Sequence, residues 1–443
     1  MIGMGAFTLA TGLAAAFLVF SGPGELPPLL YGRLRKPEPA PIPIIRRPRS
    51  SLVSWKEWSK DSLDEAKRKD RLILLNMRWF GSRACRVMDE TTYADPATAE
   101  FIAKNFIPVR VDGDQRPDLA LRYFSGRPTT ALLLPTGEIL DSGSSMPAPL
   151  FLKWAQTLEP AFRKNRVKVM EAAHQALEKR RELAMETFAR EEKARSSERK
   201  AEVQVKPTLS EDPVWGGYFH SALGSRGIKE YEKRLEDQAA ALADLAHRDP
   251  EAAQRTMAYV SLFLCDPQGG YYAGQAGELT RDNTIIEGEY YFSLPNKKRW
   301  ALGFPLADTR IFAAANGRMA AAVLRASEIG EPGRAHALKT LDRFWQEGIT
   351  AGTVKHELGG EVTIFLDDQI AMAKAYLAAY SATGRRRDLD RASAIIAATE
   401  EWLWNKQAQA FYDRPALGEL PEGLDRLLVP SLNREALLLK GAD

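Results

Sequence analysis

A short turn between an apolar run and a helical pattern is the feature that most constrains the fold of this chain. The apolar run covers residues 72–75, and the turn extends from Ser82 to Cys85. In a dithiol redox site the first cysteine of such a turn lies at a helix N-terminus, where the helix dipole lowers its pKa and makes it the nucleophile. Here that position holds Ser82, which is a good helix N-cap but carries no thiol. The pattern therefore predicts an α/β unit with a damaged redox turn.

The composition limits the chemistry that this chain can carry. Its 443 residues exceed one ordinary core, so two or three domains are expected. The net charge of +3 gives no support for nucleic-acid binding. The two cysteines, Cys85 and Cys265, lie far apart, and the five histidines show no pair at ligand spacing. We therefore predict no metal, no cofactor and no nucleic-acid partner.

The N-terminal segment has the composition of a membrane span. Residues 2–20 carry no charge, and roughly 17–25 apolar residues suffice to cross a bilayer. We predict a transmembrane helix over residues 1–21 that contacts the bilayer through residues 2–20, with a cleaved signal peptide as the alternative. Thr8, Gly12 and Ala16 form a small-residue stripe that would let a second membrane helix approach, although ordinary Ala/Gly content explains it equally well.

A proline-rich, basic tether is predicted over residues 22–50. Its prolines at alternate positions from 37 to 43 exclude a helix or a central strand and favour an extended chain. Basic residues follow the predicted span and none precedes it, which favours a single-pass protein with a cytoplasmic body. A periplasmic body remains open.

Residues 51–160 have the pattern of an α/β unit. Strands are predicted over residues 72–77 and 106–111 and after Pro128, with helical segments between them. The following segment, 161–208, is dense in Lys, Arg, Glu and Ala and predicts a charged helical linker between domains. A docking helix for a partner is the alternative for that segment.

Residues 209–443 show a succession of helical hairpins separated by glycine-aromatic turns. Helices are predicted over residues 229–247, 250–264, 308–329, 333–347, 366–383 and 389–404, with another starting near 433. Paired helices that cannot bury their apolar faces alone favour a toroid of hairpins. The predicted fold is therefore multi-domain, with a transmembrane helix, an α/β domain and an all-α barrel of the (α/α)6 type.

Two sets of residues resemble one family of proteins. In this family a thioredoxin-like domain is joined to a six-hairpin (α/α)6 barrel. The vertebrate spermatogenesis-associated thioredoxin-like protein belongs to it. The residues that match its first domain are Cys85 to Met88, Val111-Asp112 and Gly126-Arg127-Pro128. Those that match its barrel are Glu287 to Tyr291, Leu366-Asp367-Asp368 and Pro430 to Asn433.

The resemblance implies that Pro128 is the cis-proline of a thioredoxin fold. Ser82 stands where the family usually has a cysteine, so Ser82, Cys85 and Pro128 would form a degenerate redox turn. Arg127 replaces a common tryptophan. The family's chain generally continues past the segment that ends this one at Asp443, so a shortened, incomplete barrel is expected.

Four acidic residues of the second unit are candidates for acid/base catalysis. Asp367 with Asp368, and Glu287 with Glu289, could form the paired carboxylates that glycoside hydrolysis needs. Adjacent aspartates at a helix start more often serve as a cap and a dipole partner. Cys85, one turn into its helix, is expected to be buried and inert, with a lone reactive thiol as the alternative.

Two functions from different classes remain open. The first is a membrane-anchored, non-catalytic structural subunit, a pseudo-enzyme that docks its body onto other membrane-protein subunits. The second is an enzyme, either a single-cysteine thiol protein acting through Cys85 or a carbohydrate-active barrel using Asp367 and Asp368. A sugar ligand is part of this second interpretation.

Overall fold

An α/β unit and an α-helical unit make up the parts of the chain that the structure describes. In this computed structural model these are residues 45–46, 49–175, 179, 210–220, 230–246, 248–326, 329–416 and 426–440. The first unit and the second contact each other through side chains from both.

Five strands form the central sheet of the first unit. The strands in the first part of the chain are β1 (Ile45–Arg46), β2 (Lys56–Glu57), β3 (Leu72–Arg78), β4 (Phe106–Asp112), β5 (Thr129–Leu133) and β6 (Ile139–Gly143). The sheet has the order β2-β4-β3-β5-β6, with β4 parallel to β2 and β3, and β5 antiparallel to β3 and β6. The central strand β3 is buried along almost its whole length, as its continuous apolar run predicts. This arrangement confirms the predicted thioredoxin-like fold.

Three helices of this unit begin at residues whose side chains accept a free N–H group. They are α1 (Lys60–Lys69), α2 (Arg83–Thr91), α3 (Pro96–Asn105), α4 (Pro117–Tyr123) and α5 (Ala148–Lys164), with a further helix described over 166–175. Ser59, Ser82 and Asp95 cap α1, α2 and α3. Helix α1 begins only at Lys60, because the preceding Lys56 and Glu57 pair with the edge of β4.

The second unit is an arc of helices in two layers. Its helices are α6 (Leu235–Leu245), α7 (Pro250–Phe263), α8 (Gly288–Ser293), α9 (Asn296–Leu302), α10 (Ala313–Arg325), α11 (Glu331–Glu347), α12 (Leu366–Thr383), α13 (Arg386–Leu403) and α14 (Pro430–Lys440). Helix α10 packs between α6 and α12, and α14 packs on α12, so these four form the inner layer. Helices α7, α11 and α13 pack outside them as the second members of hairpins. Within the described residues the arc therefore has three hairpins and α14 rather than six hairpins.

The two central helices of the arc approach closely because of a glycine. A Cβ atom at Gly317 of α10 would lie 2.7 Å from the backbone of Ala371 in α12. Almost every residue of α10 from Ala313 to Leu324 is buried, and Arg318 is the exception. A helix that is apolar nearly all round must be buried, so α10 forms the core of the second unit.

Short strands lie before and between the helices of the second unit. They are β7 (Ser210–Glu211), β8 (Tyr218–Phe219), β9 (Lys233–Arg234), β10 (Gly274–Gln275), β11 (Leu279–Arg281), β12 (Thr284–Ile286), β13 (Ala307–Asp308), β14 (Ile349–Thr350), β15 (Thr353–Val354), β16 (Trp404–Asn405) and β17 (Ala410–Phe411). Strand β1, from the predicted tether, pairs antiparallel with β12, with Ile45 opposite Ile286. That part of the tether is therefore held by the second unit.

The predicted transmembrane helix has to be withdrawn from the fold class. In the parts of the chain that the structure describes, no helix combines the length and the apolar character needed to cross a bilayer. The segment 1–21 and its stripe of Thr8, Gly12 and Ala16 lie outside the described residues. The prediction of a single-pass anchor used charge and apolar composition alone, and it was wrong as a statement of fold and of localisation.

Candidate functional site

The degenerate redox turn has a capped helix start and a buried thiol. Ser82 is the N-cap of α2, and its Oγ accepts a hydrogen bond from the backbone N–H of Cys85 at 3.4 Å. The Cys85 side chain belongs to the core, with 3% of the residue exposed. Burial raises the pKa of the Cys85 thiol to about 12. At neutral pH this cysteine is therefore expected to be a protonated core side chain.

A carboxylate from the second unit occupies the N-terminus of α2. Glu230 Oε2 accepts the N–H of Arg83 at 2.8 Å, and its Oε1 accepts the N–H of Ala84 at 3.1 Å. Ser82 Oγ lies 3.3 Å from the same Oε1. Free N–H groups and the helix dipole make this end of a helix an anion site. Glu230 is itself buried and supplies the anion. We say that it closes the turn, because its carboxylate occupies the anion site at the N-terminus of α2.

The loop before β5 is held by a second glutamate of the same segment. The Arg127–Pro128 peptide is cis, as the family resemblance implies. Arg127 Nη1 donates to Glu232 Oε1 at 3.1 Å, and its guanidinium lies 5.0 Å from the ring centroid of Trp79. Burial, and after it the neighbouring Glu230, raises the pKa of Glu232 to about 8. Arg127 therefore links the two units.

A cluster of carboxylates around Arg86 forms the other side of this contact. Arg86 on α2 pairs with Glu278, with Glu287 at 3.3 Å and with Glu90 at 2.9 Å. Arg83 Nε also donates to Glu287 at 2.9 Å. The three carboxylates are buried, and burial raises the pKa of Glu90 and of Glu278. The α2 helix is thus bound to the second unit along its first turn.

Glu287 and Glu289, predicted as a carboxylate pair, have different surroundings in the structure. Glu287 serves the ion pairs with Arg83 and Arg86, whereas Glu289 is exposed. Among the described residues, no group of three or more His, Cys, Asp or Glu side chains could hold a metal ion.

The loop after β4 is anchored on the second unit by a histidine and an arginine. His356 Nε2 lies 2.7 Å from the carbonyl oxygen of Asp114, and His356 Nδ1 lies 2.9 Å from Asp368 Oδ2. Asp114 also pairs with Arg234 at 2.5 Å. Although burial opposes it, the carboxylate of Asp368 raises the pKa of His356 to about 9. His356 is therefore an imidazolium that donates from both ring nitrogens, one to each unit.

A cavity of about 650 Å³ lies between the two units. The first unit lines it with apolar residues of α4 and with Trp79 and Arg127, and the second unit with residues of α6, α10, α12 and the start of α14. Its volume falls within the roughly 300–1,000 Å³ of pockets that hold small molecules. The cavity is the candidate ligand site of this protein.

The adjacent aspartates Asp367 and Asp368 have separate roles. Asp368 is buried and accepts the N–H of Ala314 at 2.9 Å in addition to the bond from His356. Asp367 faces the cavity and pairs with Arg318. The expectation that both carboxylates act on one bond is therefore not supported by their placement, because Asp368 is engaged in holding helices and units together.

Three charged side chains from three inner helices line the cavity together. Glu236 of α6, Arg318 of α10 and Asp367 of α12 all contribute to its wall. The side chains of Arg318 and Asp367 are 41% and 30% exposed, so both remain accessible within the cavity. Burial raises the pKa of Asp367, and Arg318 opposes that rise. We call these three residues the charged cluster.

Glu230, Glu232, Glu236 and Arg318 were not identified as site residues from the sequence. Glu230, Glu232 and Glu236 fall in a helix predicted over 229–247. The observed helix begins only at Leu235. The segment before it, with Glu230 and Glu232, contacts the first unit. Arg318 could have been noticed in the sequence, since it is the one charged residue between Ala313 and Leu324 of the apolar helix α10.

Comparison with known proteins identifies the first unit. Residues 39–181 match the family model Thioredox_DsbH, described as a protein of unknown function, DUF255. Over these residues the chain resembles the DUF255 thioredoxin-like family. Spermatogenesis-associated protein 20 of Rattus norvegicus is 24% identical over 114 residues, which are 24% of this chain and 14% of the rat protein. An uncharacterised protein of Caenorhabditis elegans is also 24% identical over 114 residues, or 16% of its own length.

Solved structures resemble parts of this chain at low identity. A sugar epimerase from a ruminal bacterium is 13% identical, with a TM-score of 0.37, over 52% of this chain and 60% of the epimerase. A thioredoxin from Thermus thermophilus is 24% identical, with a TM-score of 0.22, over 24% of this chain and 87% of the thioredoxin.

The DUF255 segment ends before the residues that close its redox turn. Glu230, Glu232, Glu278 and Glu287 all lie beyond residue 181. The closure of the turn is therefore a property of the DUF255 unit combined with the helical unit of this chain.

Proposed function

We propose that this protein binds a neutral polyhydroxylated ligand, such as a sugar, between its two units, and that its thioredoxin-like unit carries out no thiol chemistry. The observation that carries the proposal is the orientation of the first unit. The face that bears the redox turn is directed into the second unit, where Glu230 closes the turn and the adjoining residues wall the cavity.

The chemistry of the cavity favours a neutral ligand with many hydroxyl groups. The positive charge of Arg318 is neutralised by Asp367, and that of Arg234 is neutralised by Asp114. The wall therefore offers hydrogen bonds without a large excess of positive or negative charge. Carboxylates accept from hydroxyl groups and guanidinium groups donate to them. Aromatic and aliphatic side chains of the wall, including Phe312 and Phe365, offer contact to the C–H faces of a sugar ring.

An acid/base enzyme acting on such a ligand is the second candidate. Asp367 has a raised pKa and is accessible in the cavity, which are properties of a general acid. Glu236 is a further carboxylate on the same wall. Product analysis of any sugar that binds distinguishes turnover from binding alone.

Substitution of Arg318 by methionine is expected to weaken sugar binding by about tenfold or more, because it removes the donor of the charged cluster. The measurement is isothermal titration with glucose, mannose, N-acetylglucosamine and their disaccharides. Arg386→Met is the matched control, since Arg386 is exposed and, among the described residues, pairs with Asp390 of its own helix. Absence of binding by the unaltered protein to every one of these sugars would refute the ligand proposal.

The thiol part of the proposal concerns Cys85 and is tested separately. In a Cys265→Ser variant, the remaining Cys85 is expected to stay unlabelled by Ellman's reagent at pH 8 while the protein is folded, because its thiol is buried and protonated. Labelling should reach one thiol per chain in guanidinium chloride. Labelling of the folded variant at the rate of a free thiol would show that Cys85 is reactive.

A further inference from the structure

One face of α4, in the thioredoxin-like unit, borders the cavity with apolar side chains. The residues of this face are Pro117, Ala120 and Leu121 of α4 and Phe124, which directly follows the helix. Their spacing of three, four and seven residues from Pro117 places them on one side of a helix. Leu119 and Tyr123 lie on the other side and are buried in the core of the first unit. Helix α4 therefore carries two apolar faces, of which the core uses one.

The second face is accessible and supported from behind. Leu121 is 47% exposed and Phe124 is 58% exposed. The Phe124 ring packs edge-to-face on Trp79, with the centroids 5.6 Å apart. Trp79 is itself fixed, because it lies against Gly113 and under the Arg127 guanidinium. Isolated exposed apolar side chains are ordinary, but two neighbours at the rim of a ligand cavity form a surface suited to binding.

This apolar face and the charged cluster line the same cavity from different units. A pyranose ring has C–H faces that pack on aromatic and aliphatic side chains, and hydroxyl edges that need hydrogen-bonding partners. The charged cluster supplies such partners, whereas Leu121 and Phe124 supply none. A cavity of about 650 Å³ also has room for more than one ring.

We infer that the α4 face is a second sugar subsite and that the ligand is an oligosaccharide bound across both units. One sugar unit lies at the charged cluster, and the next packs its C–H face on Leu121 and Phe124. The inference rests on the proposed function and adds to it that the thioredoxin-like unit determines the length of the ligand.

The experiment uses the full-length protein and two homologous series, glucose to cellotetraose and mannose to mannotetraose, titrated by calorimetry. Binding of the unaltered protein is expected to tighten at least tenfold between one unit and three. Phe124→Ala and Leu121→Ala should abolish that gain and leave the affinity for the single sugar within twofold. Leu150→Ala is the matched control, because Leu150 is exposed on α5 and does not line the cavity; it should change neither affinity.

Each outcome bears on one of the two proposals. Equal affinity for one and three units, or an unchanged gain in Phe124→Ala and Leu121→Ala, would overturn the α4 subsite and leave sugar binding intact. Failure of every member of both series to bind would overturn the proposed function, and the subsite with it. Thermal unfolding of each variant confirms that lost affinity does not come from a lost fold.

Discussion

Replacing Glu230 with alanine is expected to destabilise the folded protein by about 3 kcal/mol, because it leaves two backbone N–H groups and one hydroxyl without their acceptor in a buried place. The variant also removes the anion that faces the N-terminus of α2. Glu230→Gln, which keeps one carbonyl oxygen, should lose roughly half as much.

Urea unfolding at pH 7, followed by tryptophan fluorescence, measures this effect. Glu289→Ala is the control, since Glu289 is exposed on α8, and its loss should stay within about 0.5 kcal/mol. A loss below about 1 kcal/mol for Glu230→Ala would show that the contacts at the redox turn do not hold the units together.

Replacing Arg86 with methionine is expected to lower the free energy of unfolding by about 3–5 kcal/mol at pH 7. The reason is that three buried carboxylates lose their common cation.

This loss of stability should depend on pH. Burial already raises the pKa of Glu90 and Glu278, and removal of the guanidinium raises them further. Such a carboxyl group has a higher pKa in the folded state than in the unfolded state. It therefore favours folding at a pH below the unfolded-state pKa, and this contribution is lost as the pH rises through the folded-state pKa. The deficit of Arg86→Met should therefore shrink as the pH falls towards about 4, the ordinary pKa of glutamate.

The matched control for this variant is Arg78→Met. Arg78 is partly exposed, and its nearest partner, Asp89, lies 3.6 Å away, so its loss should stay near 0–1 kcal/mol. Urea midpoints at several pH values between 4 and 8 decide the question. A deficit of Arg86→Met that is the same at every pH would mean that lost packing, rather than unpaired carboxylates, explains it.

Local features of the fold could be predicted from the sequence because they depend on neighbouring residues. The buried strand from Leu72, the Ser82 cap and the Asp95 cap each follow from an apolar run or from a side chain that can accept a nearby N–H. Glu230 could not be recognised in this way. Its partners precede it by 146 to 148 residues, and its own surroundings in the sequence resemble the start of a helix.

The structure gives the members of each predicted carboxylate pair different neighbours. Consecutive residues of a helix do not face one another, so Asp367 and Asp368 point to different neighbours. One faces the cavity and Arg318, and the other faces Ala314 and His356. A charge inside an apolar helix, such as Arg318, would have been the better guide to this site.

Strand β1 has a consequence for the order in which the molecule is assembled. Ile45 pairs with Ile286, and the chain between them contains the whole first unit. Bringing together residues so distant in sequence costs conformational entropy, and β1 has no partner until the hairpin of β11 and β12 exists. Strand β1 is the first described element to be synthesised. It can therefore pair with β12 only after most of the chain has left the ribosome.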